Sequence, residues 1–430
     1  MTNNCLKNIT PDSFSGLVFA MEGIDNTVVL INGPTGCKFY HSAVSDSQSI
    51  HQFEFDPLNY PEKFYFGQPR VPCTYLDNRD YVYGSMDKLT EALDFLSNEV
   101  SFDLLAVINS PGASLIGDNL KDIVSRKVKG KKYVVIETPG FSDNICSGFE
   151  KAAIETLKQL CSPMGAVKSA RVNILGLSIF HKNYRGDVEE IKRLFKMCGI
   201  EINCFLCSEC NPESIEKIPA ADLNIVLNPE YGYNTAIFLK EMYKTSYYIC
   251  DGPPIGFEAT EKFMRDICGI LNKDCSLFTA ESEKSRADAY AFISRVNSLT
   301  GLPKGVNFAL EGTYSEIYSY TSFLVKYFGM ILECASVLNE EIDVFKDRAV
   351  KLLSEMKLEG AMQHDILNTK SELVFANGNT IAQLKLKGHS FSGIEISLPT
   401  LGYIDVIPKT QLGLKGALML TEQVLNGLMF

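Results

Sequence analysis

The chain has 430 residues, 46% apolar and 22% charged, a balance that excludes a disordered or fibrous protein. That length exceeds what a single hydrophobic core supports, so two or three domains are expected. A formal net charge of −11 and a pI near 5.1 oppose contact with nucleic acid phosphates, and the basic run Lys127, Lys129, Lys131 and Lys132 reads as a solvated loop before a strand.

The first residues, MTNNCLKNITPDS, lack the apolar stretch and cleavage site of an export signal. No apolar run reaches the roughly 18 residues that cross a bilayer. A cytoplasmic protein with no membrane partner is expected. Its 13 cysteines are then reduced thiols, either buried as small hydrophobes or bound to metal.

Short β-branched runs alternate with helix-period segments along the chain. TVVLIN (27–32), DLLAVIN (103–109) and KYVVIET (132–138) predict strands. Between them, DKLTEALDFLSNEV places Leu89, Ala92, Leu93, Leu96 and Val100 on one helical face. After a polar connection from Cys161 to Ser169, a second series runs through RVNILGLS, a helix in DVEEIKRLFKMCG, IEINCFL and LNIVLN. SLTGLPKG (298–305) reads as the next linker. A third series follows: the strand VNFALEG, the helix EIYSYTSFLVKYFG, the strands ILECASVL, ELVFANG and GIEISLP, and a last helix in GLKGALMLTEQVLNGL. Strand-then-helix repetition implies parallel sheets covered on both faces. The expected fold class is therefore α/β with three units, spanning 1–167, 168–302 and 303–430.

Ligands of open parallel sheets collect beyond the carboxyl ends of strands. The loop INGPTGCKFYHS (31–42) holds that position after the first strand. Its order Gly36-Cys37-Lys38-Phe39 lacks the Gly-Lys-Ser/Thr ending of a phosphate loop and the dinucleotide fingerprint. Cys37 at a helix start suits a thiolate ligand, because unpaired amides and the positive dipole end depress a thiol pKa. A thiol packed under the turn is the alternative. His41 shares a helical face with Cys37 or sits at the surface. A second strand-end loop, INSPGASLIGDNL, has small residues and Gly117, which permit close approach of a backbone or a cofactor. Cys204, Cys207 and Cys210 have the two-residue spacing used by iron–sulfur and zinc sites, although Cys204 lies within an expected strand, so buried thiols are the competing reading. Cys250, Cys268, Cys275 and Cys334 read as core. Hydrolase signatures are absent.

Taken together, NGPTGCKFYHS, PCTYLDNRDYVYGSMDKLTEAL, NSPGASLIGDNL, IETPGFS, PPIGFEATEKFM and SLPTLGYIDVIPKTQLGLKGALMLTEQVLN resemble, in this order, the nitrogenase component 1 family. The resemblance runs from about Pro11 to Asn426. It implies three Rossmann-like domains and pairing with an identical or homologous component 1-like subunit. It also implies an iron–sulfur cluster between the first domains of the pair, fed by a separate ATP-dependent iron protein. Cys37 resembles the family's cluster ligand, in a loop with Gly33 and Gly36, with Gly117 in the facing loop.

Where the family has a second cysteine, this chain has Asp12, with Cys5 a few residues upstream; where it has a third, this chain has Pro111. The resemblance therefore implies a [4Fe–4S] cluster shared by two subunits in place of an eight-iron cluster. Its ligands would be Cys37 with Cys5, Asp12 or Cys73, a carboxylate arrangement similar to that of dark-operative protochlorophyllide reductase. No histidine stands in SLPTLGYIDVIPKTQLGLKG and Cys250 lies outside the matching ligand context, so no molybdenum–iron cofactor is expected. A substrate would lie between the three domains. The expected function is a catalytic-component subunit of a nitrogenase-like oxidoreductase, with a non-catalytic partner subunit or cofactor-assembly scaffold as the alternative.

Overall fold

Three parallel sheets succeed one another along the chain. A computed structural model describes residues 11–37, 71–137, 143–162, 171–338, 343–398 and 405–429. The first sheet has β1 (Thr27–Asn32), β2 (Leu104–Asn109) and β3 (Lys132–Ile136) in the order β1-β2-β3. Every residue of β1 and β2 is buried, as expected for strands covered on both faces. The helix Met86–Glu99 covers one face with Leu89, Ala92, Leu93 and Leu96, all fully buried.

The second sheet has β4 (Arg171–Leu175), β5 (Glu201–Phe205), β6 (Leu223–Val226) and β7 (Ser246–Ile249), ordered β5-β4-β6-β7. The third has β8 (Asn307–Gly312), β9 (Ile331–Val337), β10 (Leu373–Asn377) and β11 (Ser392–Ser397), ordered β11-β10-β8-β9. Both sheets wind outward from a first strand, β4 or β8. The chain order therefore reverses beside that strand and opens a crevice at its carboxyl end. The stretch SLTGLPKG begins inside a helix, because Ser276–Thr300 runs for 25 residues before Gly301 ends it. That helix and its predecessor, Phe257–Leu271, pack against the C-terminal helix Gly413–Met429.

The helix Ser13–Glu22 is buried along all ten residues. It crosses the helix Ile145–Leu160 at two glycines. A Cβ at Gly16 would lie 2.1 Å from the Ile145 carbonyl oxygen, and one at Gly148 would lie 1.9 Å from that of Ser13.

Buried carboxylates fasten the three units. Glu150, on the helix Ile145–Leu160, accepts from the Asn234 N–H at 2.7 Å, the Thr235 N–H at 3.2 Å and Asn234 Nδ2 at 2.6 Å. Glu230 accepts from the N–H of Ser315 at 2.9 Å and from its hydroxyl, satisfying a first-turn donor of the helix Tyr314–Phe328. Asp187 Oδ1 accepts from Thr410 Oγ1 at 2.7 Å and from the N–H groups of Gln411 and Leu412 at 2.9 and 3.3 Å. Lys182, itself buried, pairs with Glu395 and Asp405 across the same seam. Burial pushes the carboxyls of Glu150, Asp187 and Glu316 up to about 7.

Two outcomes follow from these contacts. Gly148→Ala is expected to lower the unfolding midpoint, at a cost of about 1–3 kcal/mol or more, because the added methyl meets backbone. Gly269→Ala, in open space within the helix Phe257–Leu271, is expected to leave stability unchanged or raise it by up to about 1 kcal/mol. Chemical denaturation compares the two. The second outcome concerns pH. The folded chain keeps a proton on Asp187 that the unfolded chain releases above its ordinary value of 3.8, so this group's contribution to stability falls as pH rises from about 4 through about 7. Asp187→Asn keeps the Oδ1 acceptor and cannot ionise. Its stability should therefore decline less steeply with pH over that range, and an unaltered slope would refute the assignment.

Candidate functional site

The carboxyl ends of β1 and β2 are tied by side-chain amides. Asn32 Nδ2 donates to Asn109 Oδ1 at 2.8 Å and to Ser85 Oγ at 3.2 Å, while Thr74 Oγ1 donates to Asn32 Oδ1 at 2.9 Å and accepts from the Gly33 N–H at 3.0 Å. The segment 72–76 runs parallel beside β1. Ile31 N–H donates to the Pro72 carbonyl at 2.9 Å, Thr74 N–H to that of Ile31 at 3.0 Å, and Leu76 N–H to that of Gly33 at 3.1 Å. This pairing sets Cys73 opposite Ile31, fully buried.

Past Gly33 the chain turns at Pro34 into a helical start, with the Cys37 N–H donating to the Pro34 carbonyl at 3.2 Å. Ser110 follows β2, and its N–H donates to the Asn32 carbonyl at 2.9 Å. A Cβ at Gly33 would lie 2.6 Å from Ser110 Oγ, so only glycine lets these two loops meet. The Ser110 hydroxyl accepts from the Ala113 N–H at 3.3 Å and lies close to the Cys37 thiol and the Tyr81 hydroxyl, acting on both.

Asp12 reaches the same place from the N-terminus of the buried helix, where its Oδ1 accepts from Ser15 N–H at 3.0 Å and Ser15 Oγ at 3.1 Å. Antiparallel pairing with Asn144 holds it there. Burial, then the neighbouring Asp12 and Cys73, push the half-buried Cys37 thiol above its ordinary value, against the opposing effect of the Ser110 hydroxyl. This reverses the expectation of a depressed thiol: loss of solvent and two acidic neighbours outweigh the helix start. The fold thus gathers Cys37, Cys73 and Asp12, with Ser110 and Tyr81.

Other expectations fare differently. Cys5 and His41 lie outside the described residues. Gly36 meets nothing within 4 Å of an added Cβ and sits in the helical start, so neither turn nor close approach requires glycine there. Gly117 also has open space, and its φ of 82° is what favours glycine, in place of the close approach expected. Pro111 is buried, and the adjacent Ser110 makes the contact with Cys37 that sequence reasoning missed. Tyr75, between Cys73 and Asp77, holds a φ of 54°, and Lys88 Nζ donates to its carbonyl at 2.9 Å. A bulky residue in the left-handed region is strain that its surroundings must maintain. The helix Asn78–Tyr83 buries none of its residues, and Val82, Tyr83 and Leu115 are 73%, 82% and 88% exposed.

The donor set of two thiols and a carboxylate suits iron. Among the described residues no group of three or more His, Cys, Asp or Glu is placed to hold a metal ion. Cys37, Cys73 and Asp12 therefore do not form a metal-holding group by themselves among the described residues. Cys204, Cys207 and Cys210 serve the packing: all are buried, and burial raises each thiol, that of Cys210 to about 12. Cys207 turns with φ 61°, Gly23 packs against its carbonyl, and Asp25 N–H donates to the Cys210 carbonyl at 2.7 Å. The segment joins the first unit to the second.

A cavity of about 60 Å³ lies where strand ends of the second and third sheets converge, lined by His181, Tyr231, Glu316, Leu398 and Gln411 among others. Burial pushes His181 down to about 4. Its Nδ1 accepts from the Ser178 N–H at 2.8 Å, so the neutral ring carries its proton on Nε2.

No helix among the described residues is long and apolar enough to cross a membrane. Among solved structures, the fold is that of a nitrogenase chain, "Nitrogenase Cp1 at pH 6.5", with a TM-score of 0.79 at 19% identity over 98% of this chain and 93% of that one. A component of the light-independent protochlorophyllide reductase of Staurastrum punctulatum is 24% identical over 366 residues, which is 79% of this chain and 67% of that protein. The nitrogenase iron-molybdenum cofactor biosynthesis protein NifE of Methanosarcina barkeri is 26% identical over 291 residues, 64% of this chain and 57% of that protein. The matched stretch spans only about half of the corresponding protochlorophyllide reductase component of Prochlorococcus marinus, at 49% of its length. The family model for nitrogenase component 1 type oxidoreductases matches residues 13–429, and the chain belongs to that family.

Proposed function

We propose that the chain is a subunit of a nitrogenase-like oxidoreductase that shares a [4Fe–4S] cluster with an identical or homologous subunit and takes electrons from an ATP-dependent iron protein. What supports this reading is that Asp12 and Cys73 lie near enough to Cys37 to raise its thiol, with Cys73 paired beside β1 and Cys37 in the loop that follows that strand. Cys37 is the leading ligand, because it alone of the two thiols is only half-buried. Ser110 orients its sulfur, and the amide network behind Asn32 fixes the loop. When bound, the cluster supplies one-electron storage, and the protein contributes position, burial and exclusion of water. Because the empty Cys37 thiol is held above its ordinary value, loading must displace its proton and should improve as pH rises. The substrate would lie in the cavity between the sheets, beside His181 and Glu316.

Pro111 at the third ligand position favours a second reading, a non-catalytic partner subunit or an assembly scaffold. Purification without oxygen separates the two. Cys37→Ala should remove bound iron, labile sulfide and visible absorption from a brown wild-type protein, whereas unchanged iron would remove Cys37 from the ligand set. A colourless, iron-free wild-type dimer would favour the scaffold. Subunit pairing has its own measurement: Leu115→Glu, at an exposed position, should keep the fold and weaken dimerisation roughly tenfold or more, the scale of an interface hot spot. Sedimentation velocity reads that shift, and an unaltered dimer would place the interface elsewhere.

A further inference from the structure

A row of three thiols lies far along the chain from Cys37. The helix Phe257–Leu271 ends at Asn272 in the left-handed conformation, with φ 52°, and the Lys273 N–H donates to the Cys268 carbonyl at 2.8 Å. Cys275 then caps the helix Ser276–Thr300, its carbonyl accepting from the Thr279 N–H at 2.9 Å. This turn folds Cys275 back over the end of the preceding helix. Its thiol lies near enough to that of Cys268 to act on it, and Cys268 in turn neighbours Cys198, the cap residue of the helix Tyr184–Met197. Exposure is graded along the row: Cys275 is half-exposed, while Cys198 and Cys268 are 5% and 2% exposed.

We propose that this row is a thiol oxidation site, in which Cys275 reacts with a hydroperoxide and Cys268 resolves the product as an intrachain disulfide. The Cys275 sulfur attacks the peroxide O–O bond; an S–O bond forms, the O–O bond breaks, and an alcohol or water leaves. The Cys268 sulfur then displaces water from the sulfenic acid, forming the S–S bond as the S–O bond breaks. Two thiols lose two electrons to the peroxide, and their two protons leave in the alcohol and the water. Cys268 is 2% exposed, and burial and the adjacent sulfurs hold its thiol protonated, up to about 12, so a peroxide arriving from solvent meets the more exposed Cys275 first. The disulfide would lock the helical hairpin that packs against the C-terminal helix. This site does not depend on the cluster reading.

Trypsin cleaves after Lys273 and separates segment 266–273, whose one cysteine is Cys268, from 274–284, whose one cysteine is Cys275. The full-length protein, purified without oxygen and exposed to hydrogen peroxide, should yield these two peptides joined, and reductant should part them. Cys275→Ser, at a half-exposed position, should abolish the joined pair and leave Cys268 and Cys198 as thiols. Cys268→Ser should stop the reaction at a Cys275 sulfenic acid trapped by dimedone. The proposal is overturned if wild-type Cys275 proceeds to sulfinic acid without a bridge, or if Cys275→Ser still forms a Cys198–Cys268 disulfide at the wild-type rate.

Discussion

The assembly of three sheets depends on buried carboxylates that accept hydrogen bonds from another unit's backbone. Glu150 reaches from the first unit to the second, and Glu230 and Asp187 reach from the second to the third. Each replaces water at amides that burial would otherwise leave unpaired, and an unpaired buried amide costs more than a hydrogen bond gains. Side-chain length and direction then fix how one sheet sits on the next. Apolar contact alone would allow sliding, because it has no direction. The cavity beside His181 lies on this seam, so its walls are positioned by the same bonds.

The first unit applies a similar logic at smaller scale. Asn32 and Asn109 end adjacent strands and bond each other, which aligns the two loops that follow. Ser110 and Gly33 then meet at a distance no other residue at 33 would allow. Cys37 is held by its own turn, through its N–H to the Pro34 carbonyl, and by this frame, although Gly36 contributes no steric requirement.

Regular elements were legible where pattern and burial agree. The runs TVVLIN and LLAVIN are β-branched and fully buried, and they appear as β1 and β2. β7 escaped notice because Ser246–Ile249 is short, tyrosine-rich and at the sheet edge, with no buried residue. The full burial of Ser13–Glu22 was hidden for another reason, since its polar residues Ser13, Ser15 and Glu22 are buried along with the apolar ones. At the candidate site, Cys37 was recognisable from its place after a strand, but its electrostatics were not. Its thiol is raised first by burial and then by Asp12 and Cys73, which arrive from 25 residues before and 36 after. Cys268 and Cys275 were read as core for the same reason: spacing in sequence does not reveal which sulfurs meet.

The cap at Asp12 limits what that carboxylate can offer. Both the N–H and the hydroxyl of Ser15 occupy Oδ1, on a helix pinned by Gly16 against Gly148. Were Asp12 to hold iron, Oδ2 is the oxygen it could offer without disturbing those two bonds. Use of Oδ1 would compete with the N–H and hydroxyl of Ser15, so the contact that starts the helix would also bear on what the carboxylate can give elsewhere.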